Sequence, residues 1–205
     1  MILQRPLRFG IKTSPLYATH EALLDLWREA DALAIFEHAW LFDHFMPQGD
    51  NPAGPCLEGW TLLAALAAQT TRLRVGVMVT SNTYRYPAVL AKMAATIDII
   101  AHGRLNFGIG AGSSEKEHLA YGIPLYSPGE RIRRLGEACE LIQRLWRDPV
   151  VSFDGRYYQL REAYCEPKPI QKPHPPFVMG GDGEYVIERV IARYADTWDC
   201  SVDSP

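Results

Sequence analysis

Short apolar runs alternate with longer amphipathic segments along almost the whole chain, and this alternation limits the fold more than any other feature. Each run is followed by polar or glycine-rich residues, as in strands that are covered on both faces. We predict six strands, at residues 7–12, 39–43, 73–80, 104–110, 176–180 and 197–202. A strand followed by a helix, repeated in this way, predicts a parallel α/β architecture.

Three of the segments between the strands have helical periodicity. The first begins after a possible N-cap at Thr19, and its predicted apolar face consists of Leu23, Leu26, Trp27, Ala30 and Leu33. The second begins at Pro87 and ends at Gly103. The third begins at Ser127, which has capping-box spacing to Glu130, and ends before Pro149.

Residues 149–176 interrupt the alternation. Two short β-rich runs flank Asp154-Gly155, a hairpin turn signal, and a proline-rich stretch follows. We expect this excursion to form part of a lid. A closed eight-stranded barrel needs about 250 residues. Either the chain lacks the last two β/α units or it forms a smaller open sheet, and its ending just after the sixth strand favours the first alternative.

The composition argues against several classes of function. The formal charge is −3, and Lys and Arg are spread along the chain, which disfavours a nucleic-acid-binding or membrane-surface protein. The longest apolar stretch, at residues 60–68, is too short to span a bilayer, and the N-terminus lacks a secretory signal. The cysteines, which lie far apart, are expected to be free thiols in a reducing cytoplasm rather than metal ligands, and they are Cys56, Cys139, Cys165 and Cys200.

Asp43-His44 stands at the carboxyl end of the second predicted strand, which is the edge of a parallel barrel where active sites lie. A histidine exchanges protons near neutral pH, and a neighbouring aspartate can fix its tautomer or contact a cofactor. The alternative is a helix cap or a surface loop pair.

Two glycine-rich turns and one polar loop are further candidates. Gly108, Gly110 and Gly112 close the fourth strand, where the missing side chains admit either a ligand or tight packing. The turn of residues 180–183 precedes a predicted helix, so its N–H groups favour a phosphate, with an ordinary glycine turn as the alternative. The loop of residues 79–87 is polar and aromatic, and its composition favours a solvated loop.

Taken together and in order, these motifs resemble the luciferase-like family of flavin and deazaflavin oxidoreductases. The resemblance covers nearly the whole chain and is carried by residues 75–80, 82–87, 88–96, 103–105 and 107–112, and by the pairs Glu117-His118, Tyr121-Gly122, Glu130-Arg131 and Leu145-Trp146. It implies that residues 1–205 form one domain, a TIM-type (β/α)8 barrel that is truncated after about six β/α units.

The resemblance also implies roles for individual residues. His44 is the expected acid/base, Asp43 contacts the cofactor ring, and a non-proline cis peptide between Met78 and Val79 supports that ring from a bulged third strand. Gly180 and Gly181 match the phosphate-binding turn. The remaining expected cofactor contacts are Thr80, Gly110, Gly112 and Asp182.

The Asp-His-Phe sequence at residues 43–45 resembles the branch of the family that uses coenzyme F-420, an 8-hydroxy-5-deazaflavin, more than the branch that uses FMN. We therefore expect hydride transfer between F-420 and a small organic substrate, by a protein that forms a homodimer like other family members. An FMN-dependent monooxygenase and a cofactor-binding but non-catalytic relative are the alternatives. Ser113 stands where some sugar-phosphate dehydrogenases of the family have a catalytic glutamate, which disfavours that substrate.

Overall fold

The predicted parallel sheet is present. The structure, a computed structural model, describes residues 7–49, 51–181 and 183–200. Its strands are β1 (Phe9–Thr13), β2 (Phe36–Leu41), β3 (Arg74–Val77), β4 (Thr80–Ser81), β5 (Leu105–Gly110), β6 (Val151–Asp154), β7 (Gln159–Ala163), β8 (Phe177–Gly180) and β9 (Thr197–Asp199). The main sheet has the order β1-β2-β3-β5-β8-β9, with β4 paired to β5, and every pairing in it is parallel.

Helices connect the strands of this sheet. They are α1 (His20–Ala32), α2 (Gly59–Ala67), α3 (Pro87–Ile100), α4 (Glu115–Ala120), α5 (Pro128–Arg147) and a last helical segment made of α6 (Glu184–Val186), a π-helical turn (Ile187–Ile191) and α7 (Ala192–Tyr194). Within the described ranges, no helix has both the length and the apolar character that a bilayer crossing requires.

The core lies between the sheet and its helices. Phe107 of β5 packs against Trp60 of α2, Trp146 of α5 and Phe177 of β8, with ring centroids 5.1–5.9 Å apart. All six residues of β5 are buried, as predicted for a strand covered on both faces. The end strand β1 differs, because its first residues are exposed. A continuous apolar sequence therefore correctly predicted burial on both faces for the central strand β5, but not for the end strand β1.

The strand predictions need two corrections. The third predicted strand is not continuous: β3 ends at Val77, a cis peptide joins Met78 to Val79, and the chain pairs again at Thr80. The cis peptide itself was predicted from the resemblance. The second strand ends at Leu41, so Asp43 and His44 lie just beyond it rather than on it. Residues 201 and 202 of the sixth predicted strand lie outside the described residues.

The helix predictions were correct in position but partly wrong in detail. The Thr19 hydroxyl accepts from the N–H of Ala22, which confirms the predicted cap of α1. Leu26 and Leu33 are exposed, and Leu24 is buried in their place. At the start of α5 the predicted capping box is absent, because the Ser127 side chain does not cap the helix and Glu130 bonds to Arg134 instead. Helix α2, capped by Glu58, was not predicted.

The excursion forms a hairpin, but not the lid that we expected. β6 pairs antiparallel with β7, and residues 155–158 join them, so the connection is longer than the two-residue turn at Asp154-Gly155. Tyr158 is buried, and its hydroxyl accepts from the Asn82 amide at 3.1 Å. The hairpin thus packs against the segment that follows β4, and its described residues do not reach the cavity at the carboxyl edge of the sheet.

Candidate functional site

A cavity of about 720 Å³ opens at the carboxyl edge of the main sheet. Parallel strands bring their carboxyl ends to one edge, so segments that are distant in sequence meet there. Every predicted site residue that the structure describes lines this cavity, namely Asp43, His44, Met78, Val79, Thr80, Gly110, Gly112, Gly180 and Gly181. Asp182 lies outside the described residues. The cavity is also lined by Lys12 of β1 and by Arg131 and Ile132 of α5.

The His44 ring is held in one orientation by a buried carboxylate. Its Nδ1 lies 2.8 Å from Oε2 of Glu117, whose side chain is fully buried. A carboxylate only accepts, so Nδ1 carries the hydrogen. Nε2 has no hydrogen-bond partner in the described part of the chain and belongs to a ring that lines the cavity. This arrangement leaves Nε2 available to exchange a proton.

Glu117 is bonded by four donors, of which His44 is one. Its second oxygen, Oε1, accepts from the backbone N–H groups of Phe45 at 2.6 Å and Met46 at 3.3 Å, and the Tyr84 hydroxyl donates to Oε2 at 2.6 Å. Burial pushes the pKa of Glu117 upward, but the hydrogen bonds from Tyr84, His44 and Phe45 outweigh it, so the pKa is lowered. The carboxylate is therefore charged when it holds His44.

Asp43 belongs to a second polar cluster beside the first. Its two carboxylate oxygens accept from Arg85, at 2.6 and 2.9 Å, in a bidentate pair. The Thr80 hydroxyl also donates to Asp43, and Glu58 pairs with the same guanidinium. The Trp60 ring N–H donates to Thr80 Oγ1 at 3.2 Å, which connects the cluster to the core. These bonds fix Asp43 and Thr80 at the wall of the cavity.

The segment of residues 79–87 is not the solvated loop that its composition favoured. Thr80, Ser81 and Asn82 are buried, and the Arg85 side chain is only 12% exposed. The side chains of this loop bond to one another, to Asp43 and to α4, which satisfies most of their polar groups without water. Asn82 Oδ1 is the exception among these groups, since it is buried and has no partner among the described residues. A composition argument misses this, because the partners of these residues lie far away in sequence.

A further chain of hydrogen bonds runs from the cavity into the interior. Ser81 Oγ, which lines the cavity, lies 2.6 Å from Thr83 Oγ1, and that oxygen lies 2.6 Å from Nε2 of the buried His118. Nδ1 of His118 donates to the carbonyl of Ser114 at 2.5 Å. The chain ties the segment after β4 to α4 and thereby supports the wall that carries Thr80.

Another part of the cavity wall is made of glycines. A Cβ on Gly110 would lie 2.9 Å from Val79, and a Cβ on Gly112, where φ is +84°, would overlap Ser81 Oγ. Both glycines therefore let β5 approach the residues around β4, and packing accounts for them even before a ligand is considered. Because they also line the cavity, they leave bare backbone next to whatever binds there.

Gly181 and Gly183 follow β8 and precede the last helical segment, as predicted. Gly181 has φ of +141°, and its N–H donates weakly to the Asp199 carbonyl at 3.4 Å. Gly180, Gly181 and Gly183 all line the cavity. Phosphate binding at this turn stays a prediction.

Three residues of the site were not predicted: Glu117, Tyr84 and Arg85. Each had one usable signal, since Glu117 lies in the first turn of the helix that follows the glycine motif of β5, and the other two lie shortly after β4. Their contacts span 27 to 73 positions, and no local pattern shows such pairs. Among the described residues, no group of three His, Cys, Asp or Glu side chains could hold a metal ion.

The model of the luciferase-like monooxygenase family matches residues 7–202. The F420-dependent glucose-6-phosphate dehydrogenase of Kineococcus radiotolerans is 34% identical over 203 residues, which cover 96% of this chain and 57% of that protein. The chain thus spans little more than half the length of this relative.

Two solved structures share the fold. An F420-dependent secondary alcohol dehydrogenase, in complex with an F420-acetone adduct, superposes with a TM-score of 0.82 at 24% identity, over 95% of this chain and 58% of that one. EDTA monooxygenase from Chelativorans sp. BNC1 gives 0.81 at 15% identity, over 97% and 57%. At these identities the likeness concerns the fold alone, and it confirms the predicted TIM-type class.

Proposed function

The chain belongs to the luciferase-like monooxygenase family, and on that basis we propose that it is an oxidoreductase which transfers hydride between coenzyme F-420 and a small organic substrate. The observation that carries this proposal is the His44–Glu117 pair at the rim of the cavity. The pair fixes the tautomer of His44 and leaves its Nε2 beside a cavity wall that has few side chains.

The residues of the cavity fit a tricyclic cofactor. Pockets for ligands of this size are typically about 300–1,000 Å³, and the cavity lies within that range. One wall lacks side chains at Gly110, Gly112, Gly180 and Gly181, so a flat ring can lie against the backbone there. Met78, Val79 and Thr80 line the adjoining face. When bound, the deazaflavin would supply the carbon that gives or takes the hydride.

The protein residues have separate tasks in this scheme. His44 Nε2 donates a proton to the substrate oxygen, or accepts one from it, as the hydride moves. Glu117 keeps Nδ1 protonated and stabilises the ring when it is positively charged. Asp43 and Thr80, fixed by Arg85, hold the cavity wall next to the cofactor. Proton transfer by a positioned side chain typically contributes about 10²–10⁴-fold to the rate.

The names of two relatives support an alcohol or a carbonyl compound as the substrate, because one is a dehydrogenase of glucose-6-phosphate and the other of secondary alcohols. Ser113 lines the cavity, and by the family resemblance it stands where some sugar-phosphate dehydrogenases have a catalytic glutamate. We therefore favour a simple alcohol over a sugar phosphate. The homodimer stays a prediction.

A cofactor titration tests the proposal. Fluorescence quenching is measured as F-420 or FMN is added to the chain, and we expect saturable quenching with F-420 at concentrations where FMN gives none. Gly183→Trp places an indole in the cavity lining, where an added Cβ has room, and should weaken F-420 binding at least tenfold. Gly49→Trp is the matched control, since its Cβ meets nothing within 4 Å and lies outside the cavity.

The other outcomes select between the alternatives. Binding of FMN with no response to F-420 would favour a flavin-dependent monooxygenase and reject the proposal. A folded chain that binds neither cofactor would identify a non-catalytic relative, because the fold alone does not specify the chemistry.

A further inference from the structure

A second groove, of about 390 Å³, lies next to the cavity. It runs between α5, the connection of the hairpin and the last helical segment, and Ile132 lines both it and the cavity. We call it the arginine groove, because Arg133, Arg156, Arg189 and Arg193 all line it. None of these four arginines lines the cavity.

The four guanidinium groups have aromatic neighbours instead of carboxylate partners. In the described part of the chain, none of them lies within ion-pair distance of an Asp or a Glu. Instead Arg156 lies over the Tyr157 ring at 5.4 Å, Arg189 over the Tyr185 ring at 5.3 Å and Arg193 over the Tyr194 ring at 5.0 Å.

Arg133 is held in a different way, because its Nε donates to the Tyr157 hydroxyl at 3.0 Å. Contact with a ring face orients a guanidinium without using its N–H groups. The groove therefore presents several oriented donors that form no ion pair with a carboxylate among the described residues.

The two carboxylates in the groove do not cancel this charge. Glu137 accepts from the backbone N–H groups of Tyr157, at 2.9 Å, and Tyr158, at 2.8 Å, so it is committed to holding the hairpin connection. Glu140 is exposed and is the other acidic residue of the lining. Four positive and two negative side chains leave the groove with a surplus of two positive charges.

The lining of the groove is apolar beside the arginines. Gly136 of α5 lies close to the last helical segment, because an added Cβ there would be 3.6 Å from Val190 Cγ2, the ordinary contact distance. Ile132 and Val190 line the groove together with Gly136. A small molecule can therefore lie over this apolar lining, with arginines from α5 and from the last helical segment beside it.

We propose that the arginine groove binds a small polyanion that carries two or more phosphate or carboxylate groups. The planar guanidinium fork matches these groups bidentately, and such charge-assisted bonds are roughly twice as strong as neutral ones. Two anionic groups are needed because the arginines come from separate elements on opposite sides of the groove.

Calorimetric titration of the chain with pyrophosphate, and separately with citrate, tests the proposal and distinguishes the two anion types. We expect saturable binding of at least one of them at one site per chain. The variant Arg133→Gln/Arg189→Gln/Arg193→Gln should bind at least tenfold more weakly. The control Arg8→Gln/Arg28→Gln/Arg161→Gln removes the same charge from exposed arginines outside the groove and should bind as the unaltered chain does.

Gly183→Trp, which obstructs the cavity but not the groove, locates the bound anion. Unchanged pyrophosphate binding in this variant supports the groove. The proposal is overturned if neither anion binds, or if both triple variants weaken equally, which would indicate net charge alone. It is also overturned if Gly183→Trp abolishes binding while the groove variant retains it, because the anion would then lie in the cavity.

Discussion

The two walls of the cavity are built on opposite principles. The polar wall consists of Asp43 and His44, which Arg85 and Glu117 hold in place through hydrogen bonds. The glycine wall consists of Gly110, Gly112, Gly180 and Gly181, which offer backbone and no side chains. One wall fixes chemical groups in place before any ligand arrives, and the other leaves space. Changes in the polar wall should therefore affect reactivity, and changes in the glycine wall should affect packing and shape.

His44→Ala tests the polar wall with the largest expected effect. If Nε2 exchanges the proton, turnover should fall by about 10²–10⁴-fold while the fold persists, because the ring is one-third exposed and supports little packing. The measurement is the rate of F-420 reduction with a secondary alcohol in saturating amount, together with F-420 affinity by fluorescence. We expect the affinity to change far less than the rate.

His102→Ala is a suitable control, since His102 follows α3 and does not line the cavity. Turnover that is unchanged in His44→Ala would remove the acid/base role and leave the polar wall a purely structural feature.

Gly112→Ala tests the glycine wall, and its effect should be on stability. A side chain at φ of +84° costs about 1–2 kcal/mol, and the overlap with Ser81 Oγ adds the cost of overpacking, about 1–3 kcal/mol. Gly122→Ala measures the cost of the positive φ alone, because Gly122 has φ of +65° and its Cβ would meet nothing within 4 Å. The free energy of unfolding, measured with denaturant, should therefore be lower for Gly112→Ala than for Gly122→Ala. Equal losses would show that the close approach to Ser81 is unimportant.

The sequence predicts which strands carry the residues of the two walls better than it predicts why those residues are there. The strands are short and apolar, so their alternation with helices was sufficient to place β2, β5 and β8. The spacing of Gly108, Gly110 and Gly112 indicated a bare surface but left ligand and packing open, and the structure shows that Val79 and Ser81 pack against two of them.

The network of the polar wall was beyond sequence reasoning. His44 was found because it follows a strand, yet its partner Glu117 is 73 positions away. Arg85 is of a residue type that is usually found at the surface. Its side chain is largely buried here because Asp43 and Glu58 neutralise its charge. Such pairings depend on the parallel alignment of the strands, which brings distant loops to one edge of the sheet, and no periodic pattern encodes them.

Glu117→Gln has the smallest expected effect. It tests whether the negative charge of Glu117, or only its hydrogen-bonding capacity, holds His44 in place. Hydrogen bonds to a charged acceptor contribute about 1.5–3 kcal/mol each. We therefore expect the free energy of unfolding to fall by roughly this amount at neutral pH. The folded-state pKa of Glu117 is lowered, chiefly because the bonds from Tyr84, His44 and Phe45 overcome the effect of burial. Its contribution is then complete above the usual glutamate pKa of about 4.3 and is lost as the pH falls through the folded value.

Thermal unfolding of the unaltered chain and of Glu117→Gln, measured from pH 7 to pH 3, checks this sign. The stability difference between them should be widest near neutrality and narrow on acidification, since a protonated glutamic acid is neutral, as the glutamine side chain of the variant is at every pH. Glu115→Gln removes the same charge from an exposed position on the same helix and should give a small difference. A difference that is constant across this pH range would mean that the carboxylate charge does not hold His44, and the distinction between the two walls would then rest on shape alone.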